Sequence, residues 1–174
     1  GDNYWEIYQN NVLGGRVKTP EGFRKLINAA LAVKKAVIEV DEFDMNYRRS
    51  MNYGHTVGHA IEGLSNYAIP HGQAVAIGLI VVNRMAVKRG HLSDEIAAEF
   101  GGPLVELLND EIKESLRNLK TDKIADLLKQ DKKAIGSAVN FVLIRKPGDT
   151  FFLKINIDDE FVSELNGILS SILK

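Results

Sequence analysis

The chain contains no cysteine, which excludes disulfides and thiolate metal sites and fits a reducing compartment. It also lacks an excess of either charge, with 22 Lys and Arg against 23 Asp and Glu for a net charge of −1. That balance excludes a general nucleic-acid binder, whose contacts to phosphate need a basic surface. No apolar run approaches the ~20 residues of a membrane span. No basic segment followed by an apolar one opens the chain in the manner of a secretory leader. These absences predict a cytoplasmic protein that meets neither membrane nor nucleic acid. The 45% of hydrophobic residues over 174 positions excludes disorder and suits one globular domain, 1–174.

Histidine is also scarce, but it is concentrated. Three of the four histidines fall in one window. Met51-Asn52-Tyr53-Gly54-His55-Thr56-Val57-Gly58-His59-Ala60-Ile61-Glu62 is followed, nine residues on, by His71-Gly72-Gln73-Ala74-Val75. On a helix, His55 and His59 share a face, ~6 Å apart along the axis. A turn over Ser65 to Pro70 would bring His71 back toward His55 on a second helix. Imidazoles from two helices suit a metal ion, and the flanking glycines admit close helix approach. A single helical histidine is ordinarily structural or solvated, so the clustering carries the inference. The hydrolytic zinc motif is excluded, because Thr56 stands where its general base, a glutamate after the first histidine, is required.

The rest of the chain reads as mainly α: a helical bundle with one small antiparallel β-hairpin near the C-terminus. Tyr4 to Tyr8 is helical and Leu13-Gly14-Gly15 breaks it. Thr19-Pro20-Glu21 starts a helix, with Thr as N-cap and Pro at the first helical position. That helix runs to about Val40 with Phe23, Leu26, Ile27, Ala30, Leu31 and Val33 in helical period. Asp41 to Asp44 is an acidic loop suited to capping a helix from about Tyr47 to Leu64. The run from about Gln73 to Arg89 is apolar nearly all round, which predicts the most buried helix of the bundle. Short helices follow from Ser93 to Phe100, Leu104 to Leu108, Ile112 to Leu119 and Thr121 to Gln130. Ser137 to Arg145 and Thr150 to Ile157, rich in Val, Ile and Phe around Lys146-Pro147-Gly148-Asp149, form the hairpin, expected at the rim. Asp158 or Asp159 caps a last helix with Phe161, Leu165, Ile168 and Ile172 on one stripe.

The segment Asn-x-Gly-His-Thr-x-Gly-His-Ala-x-Glu, then His-Gly-x-Ala-Val-Ala-x-Gly, resembles the metal-binding segment of 3-dehydroquinate synthase and its sugar-phosphate-cyclase relatives. The match runs from Asn52 to Gly78, upstream through Lys34 and Asp41-Glu42 to Arg48, and downstream to Asp131-Lys132-Lys133. Several motifs in order make it specific. The resemblance implies a zinc or cobalt ion held by two His and one Glu, with His55 and His71 matching the two His. The Glu belongs to a Gly-x-Ala-Glu-x-x-Lys segment that does not occur in this chain. Glu39, Glu42 and Glu62 read as surface or capping charges rather than replacements.

The NAD-binding half that precedes this region in the family has no counterpart here, and Gly14-Gly15 is no dinucleotide fingerprint. The chain therefore reads as the C-terminal half of such an enzyme, working with an N-terminal domain of the same protein, homodimeric in full-length form and inactive by itself. The implied reaction converts a seven-carbon keto-acid phosphate to 3-dehydroquinate and phosphate, a lyase step toward aromatic amino acids. Lys34, Arg48, Asn52, His59, Lys132 and Lys133 match the family's substrate-binding positions. Asn52 and His59 fall on the phosphate side. Lys34, Arg48 and one lysine of the Asp131-Lys132-Lys133 triplet serve the carboxylate. Relatives making other carbocycles differ at the positions matching Arg48, Asn52, His59 and the Lys132-Lys133 pair; the retention of these residues favours dehydroquinate synthase and leaves an amino-analogue cyclase open. A non-catalytic helical module retaining the motif is the reading from another class. The iron- or zinc-dependent alcohol dehydrogenase relatives are a third, which the lysine pair followed by a hairpin disfavours.

Overall fold

The computed structural model describes residues 2–13, 16–43, 47–130 and 138–174. The chain gathers into two compact units, Gly1–Asn52 and Tyr53–Lys174, each described by itself.

The first unit is built on two helices, α1 (Asp2–Asn11) and α2 (Pro20–Val40). The Thr19 hydroxyl accepts the Gly22 amide at 3.0 Å, so the start of α2 carries its expected side-chain cap with Pro20 behind it. Between the helices lies an antiparallel ladder that the sequence reading lacks, β1 (Val12–Leu13) and β2 (Arg16–Val17), pairing Val12 with Val17. The apolar face of α2 is largely exposed: Phe23 at 56%, Leu31 at 58%. A 3-10 helix, Tyr47–Asn52, closes the unit. The Asp41 carboxylate accepts the Arg48 amide at 2.9 Å, so the acidic loop caps this short helix and not the histidine helix.

That is one correction to the expected helix from Tyr47 to Leu64. Gly54, at φ 75°, sits in the left-handed region that glycine alone enters without strain. The chain turns there, and α3 runs from His55 to Leu64. It is followed by α4 (His71–Lys88), α5 (Asp94–Glu106), α6 (Asp110–Arg117) and α7 (Thr121–Gln130). Ser93 and Asn109 accept the Ile96 and Ile112 amides and start α5 and α6. The two helices expected over 93–108 are one, because Gly101-Gly102-Pro103 is carried inside α5. The hairpin consists of β3 (Ala138–Lys146) and β4 (Asp149–Asn156). Phe141 faces Leu153 and Leu143 faces Phe151, and Gly148 takes φ 79° in the turn. Asp158 accepts the Phe161 amide at 3.0 Å and opens α8 (Asp159–Ile172).

The core of the second unit is centred on α4. Ala74, Ile77, Val81 and Ala86 are 0% exposed, and Val57 and Ile61 of α3 join them. Of these, the valine and isoleucine side chains each contribute roughly 1.5–3 kcal/mol by leaving water. The hairpin is not at the rim. Val139, Phe141 and Leu143 are 0% exposed and belong to the same apolar cluster, so β3 is a core strand whose burial overrides simple alternation. Arg89, just past α4, forms two hydrogen bonds to Glu164 of α8, at 2.7 and 2.9 Å. No helix among the described residues is long and apolar enough to cross a membrane.

Candidate metal centre

The α3–α4 pair brings three imidazoles together because its contact face is made of glycine. A Cβ on Gly78 would lie 2.0 Å from the Gly54 carbonyl oxygen, and one on Gly58 would lie 3.0 Å from the Val75 Cα. Only bare backbone permits this approach. Two hydrogen bonds hold the start of α3. The Gly58 amide donates to the Gly54 carbonyl at 3.0 Å, and the Tyr53 hydroxyl donates to Asn83 Oδ1 on α4. Asn83 is 2% exposed. Burial pushes the Tyr53 hydroxyl well above its ordinary value.

Against that base His55 and His59 project from α3 and His71 from the first turn of α4. Their ring centroids are 5.4 Å (His55–His59), 5.5 Å (His55–His71) and 5.6 Å (His59–His71) apart, an almost equilateral triangle. Two of the rings are pinned through Nδ1. The Nδ1 of His55 lies 3.1 Å from the Tyr53 carbonyl oxygen, and that of His71 lies 3.1 Å from Glu62 Oε2. One donor atom from each of His59, Glu62 and His71 lies within 4.8 Å of the others. Neutral imidazoles with a carboxylate beside them form a donor set suited to zinc or cobalt. The residues present therefore fit a divalent transition metal.

Of the residues singled out from sequence, His55, His59 and His71 are brought together. Lys34 is exposed on α2. Arg48 is half-buried and donates from Nη1 to the Glu42 carbonyl at 2.9 Å. Asn52 is half-buried at the end of the 3-10 helix. These three belong to the first unit. Lys132 and Lys133 lie outside the described residues. Glu62 is the residue that sequence reasoning passed over. It was expected as a surface or capping charge, yet its side chain is 17% exposed and paired with His71. A signal was available: Glu62 stands three residues after His59 and seven after His55, on the same helical face. Asn83 had one too, as an amide next to the apolar run Leu79 to Val82 of a helix apolar nearly all round, where a buried polar group needs a partner.

A family model described as 3-dehydroquinate synthase C-terminal matches residues 1–134. A 3-dehydroquinate synthase of Streptococcus pyogenes serotype M6 is 35% identical over 153 residues, covering 86% of this chain and 42% of the relative. One from Dehalococcoides mccartyi strain CBDB1 is 28% identical over 168 residues, covering 92% of this chain and 44% of the relative. The chain thus spans less than half the length of these curated relatives. Among solved structures, 2-deoxy-scyllo-inosose synthase complexed with carbaglucose-6-phosphate, NAD+ and Co2+ has a TM-score of 0.73 at 19% identity, covering 92% of this chain and 45% of that one. At that identity the likeness is one of fold.

Proposed function

Since the chain belongs to the 3-dehydroquinate synthase C-terminal family, we propose that it is the metal- and substrate-binding half of a 3-dehydroquinate synthase. In this reading the two units are parts of one C-terminal domain, 1–174. The full enzyme is a cytoplasmic homodimer in which the N-terminal domain supplies most of the NAD site. It converts 3-deoxy-arabino-heptulosonate 7-phosphate to 3-dehydroquinate and phosphate, a lyase step of the shikimate pathway to chorismate and the aromatic amino acids.

The observation that supports this is the pinning of His55 and His71. A metal-binding histidine ordinarily donates its second ring nitrogen to a carboxylate or a backbone carbonyl, and these two rings have such partners. His55 and His71 would hold zinc or cobalt, with a glutamate from the N-terminal domain as third ligand. The ion, when bound, supplies Lewis-acid polarisation of a substrate oxygen. His59 and Asn52 would meet the phosphate; Arg48, Lys34 and one of Lys132 and Lys133 the carboxylate, by charge-assisted hydrogen bonds. The retained Arg48, Asn52, His59 and lysine pair favour the carboxylate-bearing substrate over that of an amino-analogue cyclase.

Calorimetric titration of zinc tests the assignment. His55→Ala and His71→Ala abolish the binding that the 174-residue chain shows, and His59→Ala leaves most of it. If His59→Ala is the damaging change and His55→Ala is silent, the ion belongs to His59, Glu62 and His71 instead. The chain alone, given NAD and the heptulosonate phosphate, releases no phosphate, since transition-state groups act only when present together. Measured turnover overturns the half-enzyme reading.

A further inference from the structure

Glu62 lies on the last turn of α3 and His71 on the first turn of α4, and the backbone between them is well fixed. The Glu62 carbonyl accepts the Tyr67 amide at 3.0 Å and the Ser65 hydroxyl at 2.9 Å. The Ser65 hydroxyl oxygen accepts the Ile69 amide at 3.2 Å, and Ile69 is 0% exposed. The Ala74 amide closes the first turn of α4 on the Pro70 carbonyl at 3.0 Å. With both ends anchored, what the main chain leaves undetermined is the rotation and tautomer of the His71 ring, whose side chain is 54% exposed.

We infer that Glu62 is a positioning residue: its carboxylate holds His71 as the Nδ1–H tautomer and leaves the Nε2 lone pair for a ligand. A carboxylate oxygen only accepts, so the ring nitrogen 3.1 Å away must donate. A neutral imidazole that donates at Nδ1 accepts at Nε2. His55 reaches the same state through the Tyr53 carbonyl. The two rings are matched in tautomer, one by main chain and one by a side chain that mutation can remove. The consequence for metal binding rests on the assignment of His55 and His71 proposed above; the tautomer itself does not.

Long-range 15N–1H NMR of the metal-free 174-residue protein, at a pH well above the ordinary imidazole value of about 6.5, reads the tautomer directly. Wild-type His71 shows the Nδ1–H form. Glu62→Ala shifts it toward the Nε2–H form usual for free imidazole. Glu62→Gln, whose amide oxygen still accepts, keeps Nδ1–H. Circular dichroism confirms that the variants are folded. Zinc affinity then falls roughly 10- to 100-fold in Glu62→Ala and recovers at least in part in Glu62→Gln. An Nε2–H signal in wild type, or a spectrum unmoved by Glu62→Ala, overturns the inference. So does a Glu62→Gln variant that keeps the tautomer yet loses as much zinc affinity as Glu62→Ala, because the carboxylate would then be a ligand itself. Zinc binding indifferent to His55→Ala overturns the metal assignment instead, while the metal-free spectra still decide the role of Glu62.

Discussion

At the scale of single residues, the histidine cluster depends on groups that carry no metal chemistry. Tyr53 supplies a carbonyl to His55 Nδ1 and a hydroxyl to the buried Asn83. Tyr53→Phe keeps the carbonyl and the ring and strands the Asn83 amide oxygen. An unsatisfied buried acceptor costs roughly 1–3 kcal/mol, to be read as a lower urea midpoint at unchanged slope. The pH dependence has a definite sign. Burial raises the Tyr53 hydroxyl above its value of 10.0. Above that pH the unfolded chain loses this proton and the folded chain keeps it, so the unfolded state binds fewer protons and stability falls as pH rises. Below that pH the contribution is fully present. Wild-type stability therefore declines through the alkaline range more steeply than that of Tyr53→Phe; parallel declines would refute the assignment. The sequence marked the three histidines, because their clustering is visible without a fold. It did not mark Tyr53 or Glu62, whose roles come from atoms that sequence treats as generic, a main-chain carbonyl and a helix-face carboxylate.

At the scale of elements, α3 and α4 pack backbone to backbone on Gly54, Gly58 and Gly78, and this contact sets the distance between His55 and His71. Gly78→Ala would place a methyl 2.0 Å from the Gly54 carbonyl oxygen. The helices must part, at roughly 1–3 kcal/mol for an overpacked contact. Gly167, in α8, has nothing within 4 Å of where its Cβ would stand. Gly167→Ala should stabilise by roughly 0.5–1 kcal/mol through backbone entropy alone. Thermal melts of the two variants should move in opposite directions, and zinc affinity should fall only for Gly78→Ala. Equal shifts of either sign would sink this account. Caps and apolar periodicity carried the helices in sequence: Thr19, Ser93 and Asp158 all accept the amides expected of N-caps. The break at Gly54 was not legible, because the motif Asn-x-Gly-His sits inside an otherwise helical pattern and only the contact with Gly78 demands the left-handed turn. The two-residue ladder of β1 and β2 is too short for any period to register.

At the scale of the whole molecule, the division after Asn52 was hidden because no Gly, Pro or Ser-rich linker marks it; Met51-Asn52-Tyr53-Gly54 runs straight through the motif. What separates the units is where apolar surface is buried. Every member of the large core cluster lies between Val57 and Ile172. Among the described residues of the first unit, only Gly22 and Val37 are buried. A segment of such length buries too little of its unfolded surface to offset chain entropy unless its core is dense, and this one is sparse. Residues 53–174 expressed alone should therefore give the helical far-UV signal and one cooperative thermal transition. Residues 1–52 alone should melt without a transition. Because His55, His59, Glu62 and His71 all belong to the second unit, the shortened protein should also keep the zinc affinity of the 174-residue chain to within about threefold, roughly half of the 1.4 kcal/mol of a tenfold change. Circular dichroism melts and calorimetry on the two fragments decide it. A cooperative transition in 1–52 would show that the first unit folds by itself despite its sparse core, and loss of zinc binding from a folded 53–174 would mean that residues of the first unit are needed to build the histidine site.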